Sequence, residues 1–234
     1  MPHTPTTAAE ALDRDLELAA EHVDSVRDAF RRERDRLAAK PKSDPVRLKE
    51  WVAVFTALWA GAGEEVYVAS VTALEPDVDP GDTPVFDAFI DKAAEGIVKA
   101  TRRRIQAVRV LKPPNVSRQL RKLYQVEFMQ KRAPRIALDQ ALRQTATFEN
   151  AAAKKVEEVT GIFIKKVWHN QGDNRVRSSH LSVASVLLDE PFLVGGVELQ
   201  FPRDPNGAGS ETFGCRCWAE HLLAGAEDEE DEDE

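Results

Sequence analysis

The sequence predicts an α+β protein, in which a mainly helical N-terminal region is followed by a small β-containing C-terminal module. Two observations predict this class. Up to about residue 161, apolar residues recur every three or four positions, as on one face of an α-helix. From Ile162 the chain is rich in β-branched and aromatic residues, and two short apolar runs flank a Gly-Gly pair, which is typical of a β-hairpin.

The pattern of residues 1–40 predicts an amphipathic N-terminal helix or arm, with apolar residues on one face and charged residues on the other. Its apolar positions have helical spacing: Leu12, Leu16, Ala19, Val23, Val26 and Phe30. Such a helix packs on its own domain or serves as a docking or oligomerisation arm, and the sequence leaves both alternatives open.

A helical domain is expected over residues 41–161. Helices are predicted to begin near Pro45, near Asp82 or Thr83, at Asn115 or Ser117, and after Pro134, where proline or capping residues precede apolar stripes. Gly-Ala-Gly at 61–63 is expected to weaken or bend the first of these helices, and residues 75–84 have the composition of a loop.

Residues 162–224 predict the small α+β module. Three segments have strand character: IFIKKVW, the hairpin PFLVGGVELQF and a closing CRCWAEHLL. Residues 225–234 predict a disordered acidic tail, because they are polar, highly charged and lack apolar residues that could be buried.

The net charge of −8 comes from one end of the chain, because residues 227–234 are all acidic. Residues 99–135 have the opposite character, with twelve Lys or Arg against one acid, Glu127. No apolar run approaches the roughly 18 residues of a membrane span and no signal peptide is recognisable, so we expect synthesis in a cytoplasm and no membrane partner. The two cysteines, Cys215 and Cys217, are expected to be reduced thiols.

The basic segment has two interpretations, a solvated helix face or a surface that contacts the phosphates of double-stranded DNA without base readout. The residues that would make such contacts are Arg102, Arg103, Arg104, Arg109, Arg118, Arg121 and Lys122. The acidic tail would either shield this face or dock on a basic partner.

Four motifs follow one another in the C-terminal module: KKVWHNQGDNRVRSSH (165–180), DEPFLVGG (189–196), FPRDP (201–205) and GCRCWAE (214–220). With the helical lead-in that precedes them, they resemble the C-terminal domain of the phage Mu F-like head morphogenesis family, over about residues 130–222. The resemblance implies a minor capsid protein of a tailed phage, made in the host cytoplasm and located in the virion. It would support head assembly and DNA packaging near the portal, through contacts with the portal or major capsid protein or with a second copy of itself.

The resemblance also implies a zinc site, because many relatives have Cys-x-x-Cys at 177–180 and a histidine shortly before the later Cys-x-Cys. Here Arg177 and His180 stand at the two cysteine positions, which leaves His180, Cys215 and Cys217 as metal ligands and Asp173 or His169 as a fourth.

We expect instead a structural clasp of ion pairs and hydrogen bonds, formed by Asp173, Arg175, Arg177, His180 and Asp204. In this interpretation the arginines pair with Asp173, Asp189, Glu190 or Asp204, and no cofactor is bound. An enzyme is not expected, because no nucleophile has an evident base at meaningful spacing and no phosphate-binding glycine loop precedes a helix. A DNA-binding virion protein and a metal-dependent or toxin-like enzyme are the alternatives in other functional classes.

Overall fold

A computed structural model describes residues 8–40, 44–110 and 115–224 of the chain. The prediction of a mainly helical N-terminal region and a small β module is confirmed. The helices are α1 (Ala8–Ala39), α2 (Leu48–Leu74), α3 (Asp87–Arg109), α4 (Asn115–Lys122), α5 (Ala133–Thr160) and the short α6 (Gly209–Thr212). The strands are β1 (Ile164–His169), β2 (Val186–Leu187), β3 (Phe192–Val194), β4 (Val197–Leu199) and β5 (Trp218–Leu223).

The chain divides by its contacts into two compact units that are discontinuous in sequence. Among the described residues, the central unit comprises residues 16–40, 44–60, 85–110 and 115–141, and the C-terminal unit comprises residues 8–15, 61–84 and 142–224. This division differs from the predicted boundaries at residues 40 and 161, because α1, α2 and α5 each contribute residues to both units. The predicted acidic tail, residues 225–234, lies outside the described residues.

The core of the central unit is aromatic. Phe30 of α1 stacks on Phe128 with 5.0 Å between ring centroids and meets the edge of Trp51 of α2 at the same distance. Tyr124 packs against Phe128, and Phe55 packs against Trp51. These rings bury large apolar areas, so they supply much of the hydrophobic stabilisation of this unit.

A carboxylate, Glu33 of α1, is buried in this aromatic core with 1% of its surface exposed. The Nε1–H of Trp51 donates to its Oε1 at 2.7 Å, and the hydroxyl of Tyr124 donates to its Oε2 at 3.4 Å. Burial raises the pKa of Glu33 to about 7, although these hydrogen bonds and the positive charge of Arg36 act in the opposite direction.

The chain stays helical from Asn115 to Thr160, and its middle part, Leu123–Arg132, is a π-helix that the sequence did not predict. The N–H of Ala133 donates to the carbonyl of Phe128, five residues back. Pro134 follows at once, and in an α-helix its ring would crowd the carbonyl of Gln130. The π-helix ends at Arg132, two residues before Pro134. Because its turns are wider than those of an α-helix, the chain accommodates the proline and continues as α5.

Helix α2 runs without interruption through the glycines that were expected to bend it. Gly63 serves packing instead, because a Cβ at this position would lie 2.2 Å from Cε2 of Phe148 in α5. The missing side chain therefore lets the Phe148 ring reach the α2 backbone within the C-terminal unit.

Helix α2 is the one described helix that is long and apolar enough, by length and composition, to cross a membrane. A core helix has the same length and composition, and Trp51, Phe55, Trp59, Tyr67 and Val71 of α2 are buried. These buried positions recur about every four residues, as on one face of a packed helix, while 29% of the apolar window is buried in all.

Two antiparallel sheets form the β part of the C-terminal unit. One has the order β2-β1-β5, with Ile164 opposite Leu223 and His169 opposite Trp218, and the other is the predicted β3–β4 hairpin. Gly195 and Gly196 form its turn with φ of 58° and 80°, a conformation that favours glycine at both positions. The short strand β2 was not predicted.

Lys166 of β1 is a fully buried cation in this unit. Its Nζ donates to the carbonyl of Gln200 at 2.8 Å and lies 5.1 Å from the centre of the Phe192 ring. Burial lowers its pKa to about 8. The lysine thus ties β1 to the segment after the hairpin.

Candidate metal centre

Three of the predicted site residues meet in the core of the C-terminal unit. His180 ends a 3₁₀ turn (Ser178–His180), while Cys215 and Cys217 lie in the loop between α6 and β5. The cysteines belong to a buried cluster with Trp168, Phe192, Val194, Leu199 and Ala219. Strand β1, the hairpin and the α6–β5 loop therefore form the walls of the site.

The ligand atoms of the three residues all lie within 4.8 Å of one another. Nδ1 of His180 is 3.4 Å from Sγ of Cys217 and 3.6 Å from Sγ of Cys215. His180 is 1% exposed and each cysteine is 3% exposed. A compact set of one nitrogen and two sulfur donors is thus closed off from solvent.

Glu211 of α6 completes the surroundings of His180, and the sequence reasoning missed it. Its Oε2 lies 3.1 Å from Nε2 of the imidazole, the nitrogen that points away from the sulfurs. The hydroxyl of Ser179 donates to the same oxygen at 2.8 Å. The available signal was that Glu211 is the acid that most closely precedes the Cys-x-Cys motif.

The electrostatics of the site favour a thiolate at Cys215. Hydrogen bonds from Cys217 and His180 and the positive charge of Arg203 outweigh burial and hold the pKa of Cys215 well below its usual range. Burial opposes a charge on His180, but its bond to Cys215, the Cys215 charge and the bond to Glu211 together raise the pKa of His180. The buried cluster is thus arranged around one negative sulfur.

The distances fit a tetrahedral zinc ion. With Zn–S of about 2.3 Å and Zn–N of about 2.0–2.1 Å, tetrahedral angles put a sulfur and a nitrogen ligand about 3.6 Å apart. The two observed nitrogen–sulfur distances are 3.4 and 3.6 Å. In addition, the backbone N–H of Cys217 donates to Sγ of Cys215 at 3.4 Å, an interaction that stabilises a thiolate. His180, Cys215 and Cys217 would hold the ion, which would cross-link two loops.

The two residues that we considered as a fourth ligand lie elsewhere. Asp173 accepts a hydrogen bond from the guanidinium of Arg216. His169 stacks on Trp218 and pairs with Glu220, with 2.8 Å between Nε2 and Oε2. Among the described residues, the group that could hold a metal therefore has three protein donors.

Cys215, His180 and Glu211 also have the order of a nucleophile, a base and an orienting carboxylate. Such a triad needs a nucleophile that a substrate can reach. Because Cys215 and His180 are 3% and 1% exposed, the sulfur is enclosed by protein. The arrangement favours a structural role over covalent catalysis.

The residues of the predicted clasp make separate contacts instead of one network. The backbone N–H of Arg175 donates to Oδ1 of Asp173 at 3.0 Å. Asp204 accepts from the backbone N–H groups of Gln200 and Asn206 at 3.0 and 2.8 Å, and so stabilises its own turn. Asp204 is therefore bound by local backbone donors, whereas the arginine that pairs with Asp173 is Arg216, which the predicted clasp did not include.

Arg177 does clamp the module, but through carbonyl groups. Its guanidinium donates to the carbonyl of Phe213 at 2.6 Å and to that of Glu211 at 3.4 Å. These bonds join the 3₁₀ turn to the end of α6, two segments that carry His180 and Glu211.

Replacing Arg177 with alanine is expected to lower the free energy of unfolding by about 1–3 kcal/mol, because two carbonyl groups lose their charged donor. Thermal melting of the variant and of wild type measures the change. Arg175→Ala is the matched control, since the contact of Arg175 with Asp173 uses its backbone. Identical melting curves for Arg177→Ala and wild type would contradict the prediction.

Arg203 is a buried arginine, which the sequence did not predict. It is 1% exposed and has φ of 69°, a strained conformation for a residue with a side chain. Its NH1 donates to the carbonyl of Cys215 at 3.5 Å, and its own carbonyl accepts from Arg143 at 3.2 Å. Through this hydrogen bond of Arg203, the FPRDP motif contacts the loop that carries the two cysteines.

The residues that were predicted to contact DNA lie in the central unit, and most of their side chains are exposed. Arg102 pairs with Asp44 at 2.7 Å, and Arg104 lies 3.8 Å from Glu127. Arg102, Arg103 and Arg109 line an open cleft of about 400 Å³ with Asp44, Ile105 and Gln106. Arg118, Arg121 and Lys122 are exposed at the end of α4. The basic face is therefore partly neutralised near α3.

Comparisons of the chain with protein-family models, curated proteins and solved structures found no match. The resemblance of residues 130–222 to a head morphogenesis family therefore stays a prediction from the sequence motifs.

Proposed function

We propose that the protein is a minor head protein of a tailed phage, which supports head assembly and DNA packaging near the portal through protein contacts. The observation that carries the proposal is the convergence of the four motifs that resemble this family. Trp168, Phe192 and Cys215, which come from three of them, share one buried cluster. The fourth motif, FPRDP, supports that cluster through Arg203. Residues that are distant in sequence thus serve one structural module, as expected for a family motif.

The surface of the module also favours protein contacts. Large apolar side chains are exposed on elements around the candidate metal centre: Phe163 at 66%, Leu181 at 58%, Leu193 at 68% and Phe213 at 70%. A partner protein would gain hydrophobic stabilisation by covering them. Leu181 directly follows His180, and Phe213 lies two residues before Cys215, so these two exposed side chains flank ligands of the candidate metal centre in the sequence.

The test is the incorporation of tagged protein into heads purified from cells that carry the encoding phage. We expect wild-type protein in heads, and a variant with Leu193→Glu and Phe213→Glu is expected to be incorporated about tenfold less, as for loss of an interface anchor. Val85→Glu is the matched control, because Val85 is 78% exposed and belongs to the central unit. Absence of wild-type protein from heads would refute the proposal.

The second candidate function is sequence-independent DNA binding, favoured by the exposed basic residues at the end of α4. Replacing Arg118, Arg121 and Lys122 with glutamine is expected to weaken retention of double-stranded DNA and to reduce the salt slope by about 0.9 for each phosphate contact removed. A binding series between about 50 and 200 mM salt measures both effects.

The matched control replaces three arginines of α1 with glutamine. They are Arg27, Arg31 and Arg34, which pair with Asp24, Asp28 and Asp35, respectively. This control loses the same charge but is expected to keep its DNA affinity. If wild-type protein does not retain DNA even at low salt, the DNA interpretation of residues 99–135 is wrong.

Removing the acidic residues 227–234 separates the two interpretations of the tail. We expect the truncated protein to keep its DNA affinity and to enter heads less well, because a run of acids can reach a basic partner. Tighter DNA binding after truncation, fading as salt screens the charges, would show instead that the tail covers the basic face.

A further inference from the structure

The imidazole of His180 is contacted on both of its nitrogens by groups of different chemistry. Nδ1 faces Sγ of Cys217 and Cys215 at 3.4 and 3.6 Å, whereas Nε2 faces Oε2 of Glu211 at 3.1 Å. A neutral imidazole has one N–H donor and one lone pair, and an ionised carboxylate only accepts hydrogen bonds. When a metal ion replaces the Nδ1 proton that His180 shares with the Cys215 sulfur, the remaining proton of the neutral ring lies on Nε2, and the lone pair of Nδ1 points at the sulfurs.

The position of the proton decides whether the cluster can bind a metal. With the proton on Nε2, Nδ1 and the two sulfurs present three donors to one point. With the proton on Nδ1, an N–H would occupy that point and no nitrogen donor would be left there. A carboxylate that fixes the outer nitrogen of a ligating histidine also raises its basicity.

The carboxylate of Glu211 is itself held in place by neighbouring segments. The hydroxyl of Ser179 donates to its Oε2 at 2.8 Å, and Arg177 binds the carbonyl of Glu211. The hairpin turn approaches from another side, because a Cβ on Gly195 would lie 3.1 Å from Cδ of Glu211. A side chain at Gly195 would therefore crowd the Glu211 carboxylate.

We propose that Glu211 is a positioning residue of the metal centre, which holds His180 in the Nε2–H form so that Nδ1 binds the ion together with Cys215 and Cys217. Ser179 and Gly195 keep the Glu211 carboxylate in position. The proposal rests on metal binding at this cluster and does not depend on the proposed role in phage heads.

The experiment measures zinc affinity of the full-length protein by competition with a chromophoric chelator. Glu211→Gln is expected to weaken zinc binding about 10- to 100-fold, as loss of an outer-shell carboxylate does elsewhere. Glu211→Asp is expected to retain part of the affinity because it keeps the charge. Glu198→Gln, an exposed glutamate on the neighbouring strand β4, is the matched control and is expected to bind zinc like wild type.

A second measurement separates positioning from general destabilisation. In zinc-loaded wild-type protein, the ¹⁵N shifts of the His180 ring are expected to identify Nδ1 as the metal ligand and Nε2 as protonated. Ligation through Nε2, equal affinity of Glu211→Gln and wild type, or the absence of zinc binding by wild type would each overturn the proposal. None of these results depends on incorporation into heads, so the two proposals fail separately.

Discussion

Replacing Glu33 with glutamine is expected to raise the free energy of unfolding by about 3 kcal/mol at about pH 8 and to change it little at about pH 4. The native pKa of Glu33 is about 7, compared with 4.5 for an unperturbed glutamate. The native state therefore binds this proton more tightly than the unfolded chain does. The stabilisation of the native state by protonation of Glu33 is fully present below about pH 4.5 and is lost as the pH rises through about 7.

The difference in unfolding free energy between Glu33→Gln and wild type, measured by chemical denaturation across this pH range, tests the prediction. A glutamine can still accept from the Nε1–H of Trp51, so the aromatic core keeps that bond. Glu17→Gln, an exposed position on the same helix, controls for loss of a carboxylate from α1. A difference that does not grow with pH would show that Glu33 is not the group responsible.

The second large effect is the stabilisation of the fold that we expect from zinc binding. Protein refolded with zinc is expected to hold about one ion per chain, and free zinc at about 1,000 times the dissociation constant would stabilise the fold by about 4 kcal/mol. Elemental analysis and melting with and without zinc measure the two quantities. Binding is expected to weaken in acid, because the thiolates and the imidazole must lose their protons to bind the ion.

His180→Ala is expected to abolish this binding, whereas His169→Ala is expected to keep it. The two histidines lie in the same unit, but His169 contacts Trp218 and Glu220 instead of the cysteines. Absence of zinc from protein refolded in its presence would favour the alternative without metal, in which the cysteines are buried thiols held by hydrogen bonds.

Local chemistry accounts for what the sequence could predict. The Gly195–Gly196 turn needs positive φ at two successive residues, so the Gly-Gly pair between two short apolar runs is enough to predict the hairpin. Strand β1 is recognisable because its segment, IFIKKVW, is rich in β-branched and aromatic residues, although the alternating burial of the strand, with Lys166 inside, is not visible in the sequence. Helical spacing likewise identified α1 and α3 within a few residues of their ends.

Contacts between residues that are distant in sequence account for the features that the sequence could not predict. Glu211 and His180 are 31 positions apart, and the position of Glu211 just before the Cys-x-Cys motif does not by itself indicate that its carboxylate reaches the ring. The sequence also favoured side-chain ion pairs for Arg177, but only the fold brings the carbonyl of Phe213 within its reach. Gly63 was interpreted as a helix breaker because its partner, Phe148, lies in another helix.

The discontinuous arrangement of the two units has a consequence for synthesis. Residues 16–60 and 85–141 leave the ribosome before residue 142, so every segment of the central unit is available while the C-terminal unit still lacks its last and longest segment. Domains generally fold as units once their chain has emerged. We therefore expect nascent chains to acquire protease resistance first in the central unit, while residues 8–15 and 61–84 gain their native contacts only when the final segment arrives.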